Sequence, residues 1–441
     1  MLFPFLNTYD ELQNELTKLD CTLPLSEDVA ILSEPLTFGQ SKTYTLSNRF
    51  VVQPMEGFDS GPDGEPAELG FRRYERFAAG GAGLIWFEAT AVRAEGRCNS
   101  QQFWINEKSV NRFAALEEKT RSIAKKQFGH DIVSIIQLTH SGRYCKPTRG
   151  HREPVIVQHS GILGPAHNIP DDYPLMTDDD LDRLQDDYVT AAKLAAKCGF
   201  DGVDIKSCHG YLLNELLGAH TREGKYGGSF ENRTRFLRET IERVQNEVPT
   251  LFVTTRMNVY DAVKYPWGFG ASKDDYKRWD LTEAKQLAAM LHKLGVPLLN
   301  VTIGNPYFNP HYNRPYAKTI TGGTPYNEYP LLGVVRFANI VREMQESLPE
   351  VPMIGAGMGW LRHLVPQVAA GLIRQGWAKL FGFGRNALAY PDMPSDIMTM
   401  GGVDPKKVCM ACSGCTELMR AETPTGCVLR DREYYRLEAD S

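Results

Sequence analysis

The sequence predicts a (β/α)8 barrel, and two observations carry that prediction. Eight short β-branched or apolar runs alternate with longer helical patterns through most of the 441-residue chain, the order expected of parallel strands joined by helices. The residues closing those runs are rich in glycine and polar side chains, and a barrel of this kind keeps its chemistry at the C-terminal strand ends. A doubly wound sheet, which shares the alternation, is the second choice.

The strand candidates are 50–55 (FVVQPM), 83–89 (GLIWFEA), 131–138 (DIVSIIQL), 201–206 (DGVDIK), 251–257 (LFVTTRM), 298–303 (LLNVTI), 351–356 (VPMIGA) and 378–384 (AKLFGFG). Amphipathic stretches at 108–127, 178–198, 232–247, 282–294 and 332–347 lie between them. Thr177 with Asp180 three residues on is the short form of a capping box. The acidic run Asp178, Asp179, Asp180 and Asp182 therefore reads as a helix start, favoured by the helix dipole, rather than as a metal site. Residues 1–30 form an N-terminal extension with an appended helix, 31–400 the barrel, and 401–441 a segment with a cysteine cluster.

Apolar residues make up 42% and charged residues 23% of the chain, enough for a real core. Forty-nine basic against 54 acidic residues give a net charge of −5, which argues against nucleic acid as a partner. No apolar run is long enough to span a membrane, and the N-terminus lacks a basic region followed by an apolar one. A soluble cytoplasmic protein is expected. Nine cysteines, an odd number, argue for a metal or redox site over a disulfide framework. Cys21, Cys98, Cys145, Cys198 and Cys208 are scattered, whereas Cys409, Cys412, Cys415 and Cys427 crowd together.

The first candidate strand ends in Pro54-Met55-Glu56-Gly57, and the third in Gln137-Leu138-Thr139-His140-Ser141-Gly142-Arg143. The fourth runs into Lys206-Ser207-Cys208-His209-Gly210-Tyr211, and the fifth carries Arg256. Gly355-Ala356-Gly357 and Gly382-Phe383-Gly384-Arg385 close the last two. Glycines there fit a phosphate site, because bare backbone N–H groups can approach an anion closely. GAGMG is a weak signal that a tight turn would also produce. It fails the GxGxxG dinucleotide pattern, and position 375 is Gln where an acidic residue is needed.

The spacing Cys409-x2-Cys412-x2-Cys415-x11-Cys427 suits a cubane, whose separate irons each take one thiolate. Zinc, the other reading, more often uses two paired knuckles.

NRFVVQPM (48–55), EATAV (88–92), QLTHSGR (137–143), GFDGVDIKSCHGYLLNELL (199–217), KYGGSFENRTRF (225–236) and GFGR (382–385) together resemble the old yellow enzyme family of FMN-dependent oxidoreductases. They fall in family order. The cysteine spacing is similar to the iron–sulfur branch that includes 2,4-dienoyl-CoA reductase and trimethylamine dehydrogenase. The resemblance implies that Gln137 bonds the pyrimidine edge of the flavin and that Arg256 sits beside N1 and the C2 carbonyl. It implies that Pro54, Met55 and Ala89 line the ring with Glu56 near C4, and that Gly357, Gly384 and Arg385 hold the phosphate. Lys206 and His209 would bind a substrate carbonyl, and Tyr211 would supply a proton to an alkene that receives a hydride from N5. The four cysteines would hold a [4Fe–4S] cluster.

Two residues depart from the family pattern. Lys206 stands where His is more frequent and suits a carboxylate or a polarised carbonyl, unless it is buried against an acid. Glu56 stands where Thr or Cys is more frequent; an ionised carboxylate there would oppose flavin reduction, so it is expected to be protonated or turned away. The aromatic loop with Tyr307, Phe308, His311, Tyr312 and Tyr316 is a candidate lid or a self-packed loop, and Phe58 and Trp267 are further pocket candidates.

The expected activity is an ene-reductase acting on a small-molecule unsaturated carbonyl or acid. An amine dehydrogenase or demethylase, a non-catalytic electron carrier or zinc-binding protein, and a barrel glycosidase are the rivals; the last lacks a suitable carboxylate pair. Fourteen residues follow Cys427, with no dinucleotide-binding part, so electrons are expected from NAD(P)H or from an electron-donor protein. Assembly as a homo-oligomer stays open.

Overall fold

A computed structural model describes residues 3–40, 42–323 and 326–437. A two-stranded antiparallel ribbon, β1 (Leu36–Phe38) and β2 (Tyr44–Leu46), precedes eight parallel strands. These are β3 (Phe50–Val52), β4 (Leu84–Ala91), β5 (Val133–Thr139), β6 (Gly202–Ile205), β7 (Phe252–Tyr260), β8 (Leu299–Ile303), β9 (Met353–Gly355) and β10 (Leu380–Phe383). They close in chain order, with β10 paired to β3. All eight strand candidates are therefore strands of one closed barrel, and the doubly wound alternative is excluded.

Two cores follow from that closure. Inside the barrel, Val51, Leu84, Trp86, Val133, Ile135, Phe252, Leu298, Ile354 and Leu380 pack with Phe38, Tyr44 and Leu46 of the ribbon. The Tyr44 ring meets Phe252 edge-on at 4.7 Å, so the ribbon plugs the end of the barrel where the strands begin. The larger core lies between strands and helices. Helix Asp178–Lys197, for example, buries Leu181, Leu184, Tyr188, Ala191, Ala192 and Ala195, an i, i+3/i+4 stripe. Its capping box is formed: Asp180 N–H donates to Thr177 Oγ1 at 3.1 Å and Thr177 N–H to Asp180 Oδ2 at 3.0 Å. The acidic run turns to basic partners, Asp178 to Arg222 at 2.6 Å and Asp182 to Lys225 at 2.5 Å.

All five amphipathic stretches are helical. Helices Glu68–Ala79 and Val365–Arg374 were not among them. The first has no side-chain cap and interrupts its apolar face with a buried Arg73; the second is buried nearly all round and has only Gln367 and Arg374 as polar residues. Ahead of the barrel, helix Tyr9–Lys18, capped by Thr8, buries Leu12 and Leu16. No helix among the described residues is long and apolar enough to cross a membrane.

The segment after β10 returns across the mouth formed by the strand ends. Thr425 N–H donates to Gly57 O at 2.7 Å, Ser413 Oγ to Lys318 O at 2.7 Å, and Ala317 N–H to Ala411 O at 2.9 Å. Asp431 accepts from Arg72 at 2.7 and 2.8 Å and from Arg76 at 2.5 Å.

One buried charge cluster fixes the loop after β3. Arg73 donates to Asp59 at 2.5 and 2.9 Å and to Glu88 at 2.7 Å, all three side chains being almost fully buried. Glu88, which sits at a register shift in β4, also accepts the Gly57 N–H at 2.7 Å. A Cβ on Gly57 would lie 2.0 Å from the Arg73 guanidinium, so the loop accepts only glycine there. Removing one partner of such a cluster strands the others without compensation. Arg73→Met should therefore destabilise the protein by about 3–5 kcal/mol, seen as a lowered thermal midpoint; an unchanged midpoint contradicts this role.

Candidate active site

Two adjoining cavities open at the C-terminal strand ends. The inner one is lined by the β3 end (Pro54, Met55, Glu56), Arg256 of β7, and the glycine-rich ends of β9 and β10 (Gly357, Gly384, Arg385). The outer one is lined by Phe58, Cys98, Tyr144, Tyr211 and Tyr307 among others. Glu56, His209, Pro306, Arg314, Thr416 and Met419 line both. Those six residues form the seam where a molecule in one cavity meets a molecule in the other.

The inner cavity is polar where its cations lie. Arg256 Nε, Arg314 Nη1, Arg385 Nη1 and His209 Nε2 are buried without a hydrogen-bond partner. Burial lowers the affinity of Arg256 for its proton. Arg314 is lowered to about 10, first by burial and then by repulsion from Arg385 and Arg420. Arginines crowded together and unpartnered are complementary to an anion. Gly357, at φ +85°, and Gly359, beside the Arg385 guanidinium, keep the adjoining backbone bare. An anionic, flavin-sized group fits this donor set.

At the β6 end the backbone has positive φ at His209 (66°) and Gly210 (73°). The left-handed conformation strains a non-glycine residue such as His209. A Cβ on Gly210 would lie 2.3 Å from Asn305 Nδ2. The double turn sets His209 on the seam and Tyr211 in the outer cavity. His209 is held well below the usual histidine range by burial and then by the cations Arg256 and Lys206, so its ring is neutral. Tyr211 Oη lies 2.9 Å from Tyr307 Oη and 3.3 Å from Glu56 Oε1. Burial, then Cys98 and Glu56, raises Tyr211 well above its ordinary value. Burial likewise pushes the Cys98 thiol up to about 12.

Lys206 and Glu56 are neither a free substrate cation nor a carboxylate turned away. Lys206 Nζ lies 3.6 Å from Glu56 Oε1 and 3.9 Å from the centre of the Tyr211 ring, with its side chain 2% exposed. Two charges that would each be costly to bury alone neutralise one another. Lys206 lies behind Tyr211 and lines neither cavity.

Gln137 and Ala89 also line neither cavity. Gln137 Nε2 donates to Asp204 at 2.5 Å, and Asp204 also accepts from Trp86 Nε1 at 2.9 Å and from Arg256 N at 2.7 Å. Burial raises Asp204 to about 6. Ala89 O accepts from Gln102 Nε2 at 2.9 Å. Phe58 and Tyr307 reach the outer cavity, whereas His311 and Tyr316 line a separate groove and Trp267 packs against Gly161. Arg314, Tyr144, Arg420 and Thr416 were not singled out in the sequence. Arg314 lies inside the aromatic loop, away from any strand end or glycine pattern that would mark it.

Cys409, Cys412, Cys415 and Cys427 line one small cavity, together with Arg385 and Arg430. Among the described residues no three His, Cys, Asp or Glu side chains are arranged to hold a single metal ion. Ala411 (φ 49°) and Ser413 (φ 63°) turn the loop between the first three cysteines. Ala411 N–H donates to Cys409 Sγ at 3.4 Å. Four thiols around one cavity with an N–H donor to sulfur fit a multi-iron cluster. Cys415 and Arg385 line this cavity and the inner one, so the two share a wall.

Residues 32–292 match the NADH:flavin oxidoreductase / NADH oxidase family. The chain belongs to this family. It is 34% identical over 274 residues to an NADPH dehydrogenase of Bacillus pumilus, covering 60% of this chain and 71% of that protein. The fold is similar to 2-naphthoyl-CoA reductase in complex with 2-naphthoyl-CoA (TM-score 0.72, 20% identity), where 92% of this chain spans 57% of that chain. It is also similar to the old yellow enzyme homologue from Zymomonas mobilis (TM-score 0.65, 21% identity, 92% and 99%). The protein is thus an FMN-dependent oxidoreductase, as the family resemblance implied. The matched residues stop before Arg314, Gly357, Gly384, Arg385 and the cysteine cluster.

With its proton affinity depressed, His209 should stay neutral at pH 6, where an unperturbed histidine is largely protonated. Histidine-selective 15N NMR of the wild type against His209→Gln checks this. A resonance that titrates near pH 6.5 and vanishes in the variant contradicts the assigned burial.

Proposed function

We propose that the chain is an ene-reductase that carries FMN in the inner cavity and reduces, in the outer one, a C=C bond conjugated to a carbonyl or carboxylate. The observation that carries this reading is the seam: an unpartnered His209 Nε2 and the Tyr211 hydroxyl stand beside a cavity whose cations await an anionic cofactor. Met55, Arg256, Arg314, Gly357, Gly384 and Arg385 would hold FMN, with Glu56 and Pro54 beside it. When bound, FMN supplies a hydride from N5. Gln137 would act through Asp204, which fixes the backbone of Arg256.

The protein's own contribution is orientation and one proton. His209, neutral with a hydrogen on Nε2, donates to the substrate carbonyl oxygen and stabilises the developing enolate, a contribution on the order of 3 kcal/mol. Tyr211 gives its hydroxyl proton to the α-carbon. Lys206 positions Tyr211 from behind and neutralises Glu56, so that no bare carboxylate repels the electrons arriving at the seam.

The amine dehydrogenase reading is disfavoured by charge. Arg143 and Lys146 are paired with Glu215 and Glu422, but Arg152, Arg314 and Arg420 line the outer cavity without an acidic partner among the described residues, and a cationic substrate would meet a net positive wall. The four cysteines would hold a [4Fe–4S] cluster, which supplies one-electron transfer, as in the iron–sulfur branch. Residues 31–400 would then be the FMN-binding barrel and 401–441 the cluster-binding segment. NAD(P)H or a donor protein would supply the electrons.

Two measurements test the reading. Anaerobic absorbance with iron, sulfide and FMN analysis should give one flavin and about four irons per chain; zinc without flavin rejects it. Tyr211→Phe should slow alkene reduction by roughly 10²–10⁴-fold while reduction by NAD(P)H stays near normal. If neither half-reaction changes, Tyr211 is not the acid.

A further inference from the structure

Tyr307 is a half-buried tyrosine to which the reaction above gives no task. Its ring stacks on Tyr144 with centres 3.9 Å apart and planes 12° from parallel, and the Arg420 guanidinium lies 4.8 Å from its centre. Its Oη is 2.9 Å from Tyr211 Oη. The direction of that bond follows from the neighbours. Tyr211 Oη donates to Glu56 Oε1 at 3.3 Å, so its single hydroxyl hydrogen is already directed there. The hydrogen between the two tyrosines then belongs to Tyr307.

We infer that Tyr307 is a positioning residue that relays a proton to Tyr211 from the outer cavity. This rests on Tyr211 being the proton donor. With an alkene seated, Tyr211 turns its hydrogen from Glu56 to the α-carbon. The Tyr211 O–H bond breaks and the α C–H bond forms, while the hydride on the β-carbon comes from the bound FMN of the proposed reaction. Tyr307 passes its own hydrogen to the Tyr211 oxygen, and water at the cavity returns a proton to Tyr307. The charges favour that direction. Cys98 and Glu56 disfavour a tyrosinate at either position; at 307 they are opposed by Arg420, which lies over the ring, is exposed and lacks an acidic partner among the described residues. The stacked Tyr144, held by Asn305 Nδ2 at 2.8 Å, fixes the ring in place.

The test is single-turnover reduction of 2-cyclohexenone and cinnamate by the flavin-loaded protein in H2O–D2O mixtures. Tyr307→Phe should be about tenfold slower, the effect of one hydrogen bond to a developing charge. The bowed proton inventory of the wild type should become linear. In a Tyr211→Phe background the second substitution should add nothing. A Tyr307→Phe rate equal to wild type, or a full additional loss on Tyr211→Phe, overturns the relay and leaves the ene-reductase reading standing. A Tyr211→Phe variant as fast as wild type, or no reduction of either probe by wild type, overturns both. Should Tyr307→Phe lose its flavin, Arg420→Gln at the exposed rim carries the test: a several-fold slower rate with a straightened inventory supports the relay, and unchanged kinetics reject it.

Discussion

Charge buried at the mouth of the barrel has to be neutralised, and that requirement divides the polar residues there into two groups. Arg73 with Asp59 and Glu88, Arg143 with Glu215, and Lys206 with Glu56 have their charge matched by an acid within the chain, although Arg73 Nε and Arg143 Nη1 are also buried without a hydrogen-bond partner. Arg256, Arg314, Arg385 and His209 each keep a buried nitrogen without a partner. A protein interior tolerates few such groups, and their convergence on one cavity suits the anionic ligand proposed above.

The Lys206–Glu56 pair shows how the first group serves the second. A carboxylate at the seam would raise the energy of any negative charge formed beside it, and a lysine alone would trap an anion there. Together they present hydrogen-bonding capacity with little net charge, and Lys206 also lies against the Tyr211 ring. The site keeps its positive potential for the arginines at the far side of the inner cavity and along the outer rim.

The barrel was legible because strands buried on both faces read as continuous apolar runs, and all eight appear at the expected places. Helix Glu68–Ala79 was harder to see: its apolar face is broken by Arg73, whose partners Asp59 and Glu88 are supplied by a neighbouring loop and strand. The same limit governs the site. Most expected flavin residues line the inner cavity because strand-end position is encoded locally. Gln137 and Lys206 do not, because Asp204 and Glu56 reach them only once the barrel closes. Arg314 and Tyr307 share one loop, and nothing in that loop's own sequence indicates that one would line the seam and the other bond Tyr211.

Arg385 connects the two halves of the mouth. Its Nη2 donates to Pro315 O at 2.8 Å, its Nη1 is buried and free, and it borders the thiol cavity as well as the inner one. Cys409 is pushed up to about 11 by burial, and the positive charge of Arg385 is the largest influence opposing that rise. Metal binding needs the thiolate, so a guanidinium placed to draw an anion into the inner cavity would also favour the ionised sulfur behind it. The segment carrying the cysteines is in turn bonded to Gly57 beside Glu56. An anion in one cavity and thiolates in the other would draw on the same positive charge, because Arg385 and Cys415 line both.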